Sequence, residues 1–358
     1  MNPPNAPVLL FPTHYLGNFI LGLPWVCQVL HEHPDALVVL DSRFAELAGM
    51  VLPEQVNLLL YRRDKLASNQ PLRTRLGHYW QLLRVLRRYR RGTLMDLEGE
   101  RFTGVLSWLS RCQRRIGPQG KRAQRFYTDI LDLDYRRHRF NAFGAIVADF
   151  NSAGTPDSQL AYTVPEEVAR SLAARLEPVA GRPLLAIHPG ASVAYKLWPE
   201  DHFVALVQGL EKAGWQVVWV GAGDMDQGII KAVMTRLPES SALDLCNALS
   251  FSELLALYQR CACFVGSDSG PMHLAASTGV PVLALFGPSV EAIWAPMGDN
   301  SRVLRGTRVC GKDCDAWHCE FGYHCLTSLL PEQVLAAVAE HASVIPDHAD
   351  SSTESVRN

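Results

Sequence analysis

The sequence predicts an α/β protein built from two doubly wound domains. Three observations carry this: a length of 358 residues, short apolar runs alternating with amphipathic helical stretches in both halves, and a turn-rich, weakly periodic segment from Val147 to Glu166 between them. One domain of this length would be unusually large. Hydrophobic residues at 48% and charged residues at 20% are ordinary for a globular chain and leave room for a sizeable core.

In the first half, Val8 to Phe11 reads as a buried strand, Thr13 to Asn18 as a glycine-containing turn, and the apolar run that follows as a helix. Ala36 to Asp41 and Leu94 to Leu97 read as further strands, and the arginine-rich stretch Leu72 to Arg91 has helical spacing. In the second half, strands are expected at Leu184 to Ile187, Gln216 to Val220, Cys263 to Val265 and Val282 to Phe286. Helices are expected at Pro199 to Ala213, Ser252 to Arg260 with Ser252 as cap, and Pro271 to Thr278. The resulting division is an amino-terminal domain over residues 1–150, a linker region over 151–182, a carboxyl-terminal domain over 183–345 and a polar tail over 346–358, expected to be disordered.

The run Phe19 to Leu30 is broken by Gly22, Pro24 and Gln28 and falls short of the ~20 apolar residues of a spanning helix. The opening MNPPNAP lacks the basic residues of a signal sequence, so the chain reads as cytosolic. Of nine cysteines, Cys27, Cys112, Cys246, Cys261 and Cys263 lie in apolar or helical stretches and read as reduced core thiols. Cys310, Cys314, Cys319 and Cys325, interleaved with His318 and His324, are spaced unlike the tight C-x2-C knuckles of common zinc sites. Reduced thiols, a metal site and a disulfide all stay open there.

Net charge is −2, yet between Arg62 and Arg125 there are 17 Lys and Arg against 4 acids, an excess of 17 − 4 = +13. Such a segment suits an anionic partner, whether phosphorylated lipid, membrane surface or nucleic acid, or forms a solvated helical face.

Ligands of doubly wound sheets sit at the carboxyl ends of strands. Four loops stand there. GSDSGPMHLAAS places Asp268, Ser269 and Gly270 before a helix, whose free N–H groups and dipole suit phosphate, with His273 one turn inside. HPGASVAYKLWPEDHF carries Ser192 and Lys196, the lysine suited to a diphosphate, and Trp198, expected to pack the helix start. GAGD at 221–224 lacks G-x-G-x-x-G spacing, which disfavours a nicotinamide dehydrogenase; Asp224 there suits a ribose hydroxyl or a helix cap. THYLGNF places Thr13, His14 and Asn18 after the first strand, with His14 a candidate general base or merely a hydrogen-bonded loop residue. No P-loop, G-x-S-x-G elbow or H-E-x-x-H is present.

Taken together, LGNFILGLP, DLEG at 96–99, RRIG at 114–117, HPGAS with KLWPE at 188–200, FVGSDSGPMHLAAS at 264–277, ALFGPS at 284–289 and the late cysteines ending in LLPEQV resemble the family 9 glycosyltransferases, the heptosyltransferases of lipopolysaccharide core synthesis. The resemblance spans roughly Val8 to Ile345. It implies the GT-B fold, two Rossmann-like domains facing a cleft. It implies inverting transfer from ADP-heptose to an anionic lipopolysaccharide acceptor, with no cofactor and no required metal, by a cytoplasmic protein peripheral at the inner membrane of a Gram-negative bacterium. On that likeness Ser192 and Lys196 meet the donor diphosphate or sugar, Asp268 the heptose hydroxyls, Ser269, Gly270 and His273 the phosphates, and Asp224 the ribose. The basic segment then faces glycolipid and membrane rather than nucleic acid.

One position departs from the pattern. The family's first loop usually reads L-G-D, its Asp acting as general base, and this chain has Asn18, whose amide cannot take up that proton. His14, four residues earlier, is the nearest stand-in. Two other readings therefore stay open: a nucleotide-sugar-binding protein without transferase activity, and a transferase of a different sugar.

Overall fold

The computed structural model describes residues 5–179, 181–311 and 314–342, so the tail expected over 346–358 lies outside the described residues. The chain forms two compact units: one reaches to Thr163 and takes in Ala292–Trp294, the other runs over Val164–Glu291 and from Ala295 onward.

The first unit holds a six-stranded parallel sheet: β1 Val8–Phe11, β2 Leu37–Asp41, β3 Asn57–Tyr61, β4 Thr93–Asp96, β5 Arg114–Pro118 and β6 Asp129–Leu131, in the order β3-β2-β1-β4-β5-β6. The second unit repeats the plan with β7 Leu184–His188, β8 Gln216–Trp219, β9 Leu243–Asp244, β10 Cys263–Ser267, β11 Val282–Leu285 and β12 Ser301–Leu304, in the order β12-β11-β10-β7-β8-β9. Central strands are continuous apolar runs because helices cover both faces, and every residue of β1, β2, β7's last four positions and β10 is buried. In each sheet the winding reverses once, between β1 and β4 and between β7 and β10. The crevice outside the carboxyl ends of strands at such a reversal is where doubly wound sheets bind ligands.

The structure moves several sequence boundaries. The first helix begins at Leu16 and runs to Glu32, so Gly17 and Asn18 belong to its first turn and not to the preceding loop. The Thr13 hydroxyl accepts the Tyr15 N–H at 3.3 Å and closes the turn early, which frees Leu16 to start the helix. Residues 166–176, inside the expected linker, form a helix that buries Leu172 and Leu176 and belongs to the second unit. Ser250, not Ser252, caps helix Phe251–Tyr258, in a reciprocal capping box with Glu253. Strands β3, β5, β6, β9 and β12 escaped the sequence reading because they are short, polar or half-exposed members flanking the apolar centre. Among the described residues, no helix is long and apolar enough to cross a membrane.

Candidate functional site

In the second unit the loops after β7 and β10 meet at the winding reversal. Lys196 ends a short 3-10 turn, Ala194–Lys196, held in place by Trp198, which is fully buried and donates its indole N–H to the Leu329 carbonyl at 3.0 Å. The Lys196 ammonium donates to Asp268 Oδ2 at 2.6 Å, and the two side chains are 20% and 5% exposed. An ammonium has three donors, so this bond leaves two for a ligand. Ser269 follows and stands at the cap position of helix Gly270–Ser277, yet its hydroxyl does not cap the helix. It lies 3.2 Å from His188 Nδ1 and 3.1 Å from the Ser267 carbonyl. The first-turn N–H groups of the helix are thus not used by its own cap side chain, the arrangement that suits phosphate.

His188, the last residue of β7, is itself held. Its Nε2 lies 3.2 Å from Asp226 Oδ2, which also accepts the Ala222 N–H at 2.8 Å. Burial alone would raise the Asp226 carboxyl, but the hydrogen bond and charge of His188, with the Ala222 amide, outweigh it and keep the group below its ordinary value. With Nε2 held by Asp226, the His188 ring presents Nδ1 to the Ser269 hydroxyl, and that contact, with the Ser267 carbonyl, fixes the serine. Gly190 is required beside this pair, since any Cβ there would collide with the Asp226 carboxylate.

Of the other residues expected to bind donor, Gly270 opens the helix, His273 is buried one turn along it, and Ser192 is exposed in the loop after β7. Asp224 is exposed as the first residue of helix Asp224–Thr235. It is not the cap: Gly223 at φ +91° takes that position and donates its N–H to Asn247 Oδ1 at 2.6 Å.

In the first unit, residues that follow β1, β2 and β4 gather at the other reversal. Asp41, fully buried at the end of β2, binds Arg63 at 3.0 Å and Arg43 at 3.2 Å. These guanidiniums reach the loop after β1, Arg63 donating to the Pro12 carbonyl at 3.0 Å and Arg43 to the His14 carbonyl at 3.4 Å. Burial first, then the charges of Arg63 and Arg43, hold the His14 imidazole below its usual value against the pull of Glu100 and Asp41.

Beside that loop, Asp96 ends β4 and turns the chain. One carboxylate oxygen accepts the Glu98 and Gly99 N–H groups at 3.1 and 3.0 Å, and the other accepts the Tyr127 hydroxyl at 2.7 Å. Gly99 adopts φ +68° hard against Pro118, a conformation and clearance only glycine supplies. The turn leaves Glu98 with its side chain largely buried next to Thr13, whose hydroxyl donates to it. Burial, with Asp96 and Glu100 nearby, pushes the Glu98 carboxyl up to about 7 against the Thr13 bond and the charge of Arg139. Its Oε1 is buried and has no hydrogen-bond partner.

Sequence reasoning missed His188, Asp226, Glu98, Asp41, Arg43 and Arg63 as site residues. Five of the six, all but Asp226, are within two residues of a carboxyl strand end, a position that could have nominated them. Asn18 lies in a helical first turn, and its side chain is partly exposed.

All nine cysteines are free thiols. Cys310 and Cys314 share a hydrogen bond, and the Arg308 guanidinium beside Cys310 lowers that thiol. Among the described residues, no group of three or more His, Cys, Asp or Glu is arranged to hold a metal ion.

Residues 79–324 match the family model for glycosyltransferase family 9 (heptosyltransferase). The chain is 23% identical over 299 residues to lipopolysaccharide heptosyltransferase 3 of Escherichia coli, an alignment covering 79% of this chain and 84% of the relative. It is 28% identical over 324 residues to lipooligosaccharide heptosyltransferase 2 of Haemophilus ducreyi, covering 83% and 88%. Its fold is similar to that of a family 9 glycosyltransferase from Veillonella parvula, with TM-score 0.79 at 21% identity over 95% of this chain and 98% of that one. It is also similar to that of the E. coli ADP-heptose lipopolysaccharide heptosyltransferase II, with TM-score 0.74 at 20% identity over 94% and 98%.

Proposed function

The chain belongs to glycosyltransferase family 9, and on that premise we propose that it transfers heptose from ADP-heptose to a lipopolysaccharide core acceptor, inverting the anomeric carbon and requiring no metal. The observation that carries this reading is the meeting of Lys196, Asp268, Ser269 and a helix N-terminus at the winding reversal of the second sheet. Lys196, with the Ser269 hydroxyl and the helix amides, neutralises the diphosphate and eases departure of ADP. Gly270 and His273 belong to the same phosphate-binding helix, Ser192 lies within reach of diphosphate or sugar on the loop that carries Lys196, Asp268 receives heptose hydroxyls, and Asp224 receives the ribose.

The test is incubation of the purified protein with ADP-heptose and lipopolysaccharide truncated before its core heptoses, followed by mass spectrometry. Addition of a heptose with release of ADP is expected. Tight donor binding without transfer to any core acceptor would instead establish the second reading, a binding protein, which Asn18 favours. Transfer from another nucleotide sugar alone would establish a different donor.

The acceptor is anionic and membrane-held in this reading, and the first unit carries a face suited to it. Helix Leu72–Leu86 exposes Leu72, Leu76 and Trp80, at four-residue intervals, to 66%, 57% and 61%. Arg84 lies 5.4 Å over the Trp80 ring, and Arg73 on the same helix and Arg87, Arg88, Arg90 and Arg91 just after it are exposed. Exposed apolar side chains on a helix accompanied by exposed arginines are the pattern of helices that lie on anionic membranes. Replacing Leu76 and Trp80 together by Ser should weaken binding to phosphatidylglycerol vesicles by 10-fold or more, on the basis of ~1.5–3 kcal/mol per buried apolar side chain. Binding of the native protein should also fall as salt shortens the screening length from about 8 Å. Cosedimentation measures both, and undiminished binding of the double variant would refute the assignment.

A further inference from the structure

We propose that Glu98 is the catalytic proton acceptor of this chain, taking the place of the carboxylate that Asn18 does not provide. The inference rests on the transferase reading above and identifies a group within it.

The position comes from topology. Thr13 follows β1 and Glu98 follows β4, the adjacent strands at which the first sheet reverses its winding, with Leu10 opposite Asp96 in the register. The crevice there is the ligand position of the fold. The orientation comes from hydrogen bonding. Asp96 ties down the amides of Glu98 and Gly99, and the Thr13 hydroxyl binds the Glu98 carboxylate, so one carboxylate oxygen is fixed. The other, Oε1, is buried without a partner. A buried carboxylate oxygen without a partner is costly unless something donates to it, and an acceptor hydroxyl entering beside this strand end is such a donor.

The surroundings separate Glu98 from His14, the other titratable group at this crevice. A proton taken by His14 creates an imidazolium that burial and the charges of Arg63 and Arg43 disfavour, against the pull of Glu100 and Asp41. A proton taken by Glu98 gives a neutral acid, which burial and the neighbouring carboxylates of Asp96 and Glu100 favour, opposed by Arg139 and the Thr13 bond. Asn18 titrates at no accessible pH.

The step balances. The acceptor oxygen forms a bond to the anomeric carbon of the sugar as that carbon's bond to the β-phosphate oxygen breaks. The electron pair leaves with ADP, and the acceptor's proton ends on Glu98 Oε1. Release of that proton to solvent restores the carboxylate.

Three variants and one profile test this. Glu98→Gln should lower turnover about 100- to 10,000-fold with ADP affinity and melting temperature little changed. It should also abolish the acidic limb of the turnover–pH profile, which in the native protein should fall below about pH 7. Should Glu98→Gln fail to fold, Glu98→Asp decides the matter: a slowed enzyme whose acidic limb remains but shifts supports the proposal, and unchanged rate and limb refute it. His14→Ala should retain most of the turnover and the limb. Full turnover in Glu98→Gln, or transfer of the limb's loss to His14→Ala, overturns the proposal while leaving the transferase reading standing. Absence of transfer by the native protein with every donor and acceptor overturns both.

Discussion

Lys196→Ala should weaken ADP-heptose binding about 10- to 150-fold, the equivalent of ~1.5–3 kcal/mol for a charge-assisted hydrogen bond. The structure makes the expected loss larger than the contact alone, because the same ammonium holds Asp268 at 2.6 Å. Without it, a carboxylate only 5% exposed stays behind unpaired in the proposed donor site. The two effects separate in a double-mutant cycle by calorimetry. Asp268→Ala alone should impair recognition of ADP-heptose more than of ADP. Added to Lys196→Ala, Asp268→Asn should recover part of the lost ADP affinity, so that the two changes are not additive. Unaltered ADP affinity in Lys196→Ala would remove the lysine from the donor site, and strict additivity would deny the coupling.

Asp226→Ala carries the second large effect, on stability and binding together. It strips a buried histidine of its carboxylate and an amide of its acceptor, at a cost of about 3 kcal/mol. In a unit of this size that is roughly 6–12 °C in melting temperature. Because the carboxyl is held below its usual value in the folded protein, its contribution is present above about pH 4 and is lost as pH falls through the folded value. The gap between native protein and Asp226→Asn should therefore close in acid. Donor binding should weaken as well, since His188 then no longer fixes the Ser269 hydroxyl. A melting temperature unmoved at pH 7 would show that the Asp226 and His188 pair is not a support.

The apolar strands and the loops at their carboxyl ends were legible because both depend on local pattern. VLLF, ALVVLD and CFV are runs that a buried parallel strand explains, and Lys196, Asp268 and Ser269 lie in strand-end loops whose composition nominates them as candidates. What was illegible depends on pairing across the chain. His188 and Asp226 are 38 residues apart, and neither carries a signal by itself. Glu98 reads as one acid among many arginines until the sheet order sets it beside Thr13. The first helix was begun too late because no Ser or Asp precedes Leu16 as a side-chain cap and Gly17 resembles a turn. The helix at 166–176 was hidden by the proline and glycine content just before it.

The turn after β4 also sets the protein's speed against its endurance. Asp96 is fully buried and pushed up to about 6, and Glu98 to about 7, so both carboxyls hold protons more tightly folded than unfolded. Such groups contribute to stability fully below their unfolded values near 4, and that contribution is lost as pH rises through 6 and 7. His14, held low, works the other way but is only partly buried. Melting temperature measured by calorimetry should accordingly decline between pH 5 and pH 8, over the interval in which ionisation of Glu98 raises turnover. A flat or rising profile would contradict the burial assigned to the pair. The medium in which this enzyme survives heating best is then one in which it hardly works, and a preparation purified for durability will be assayed at its slowest.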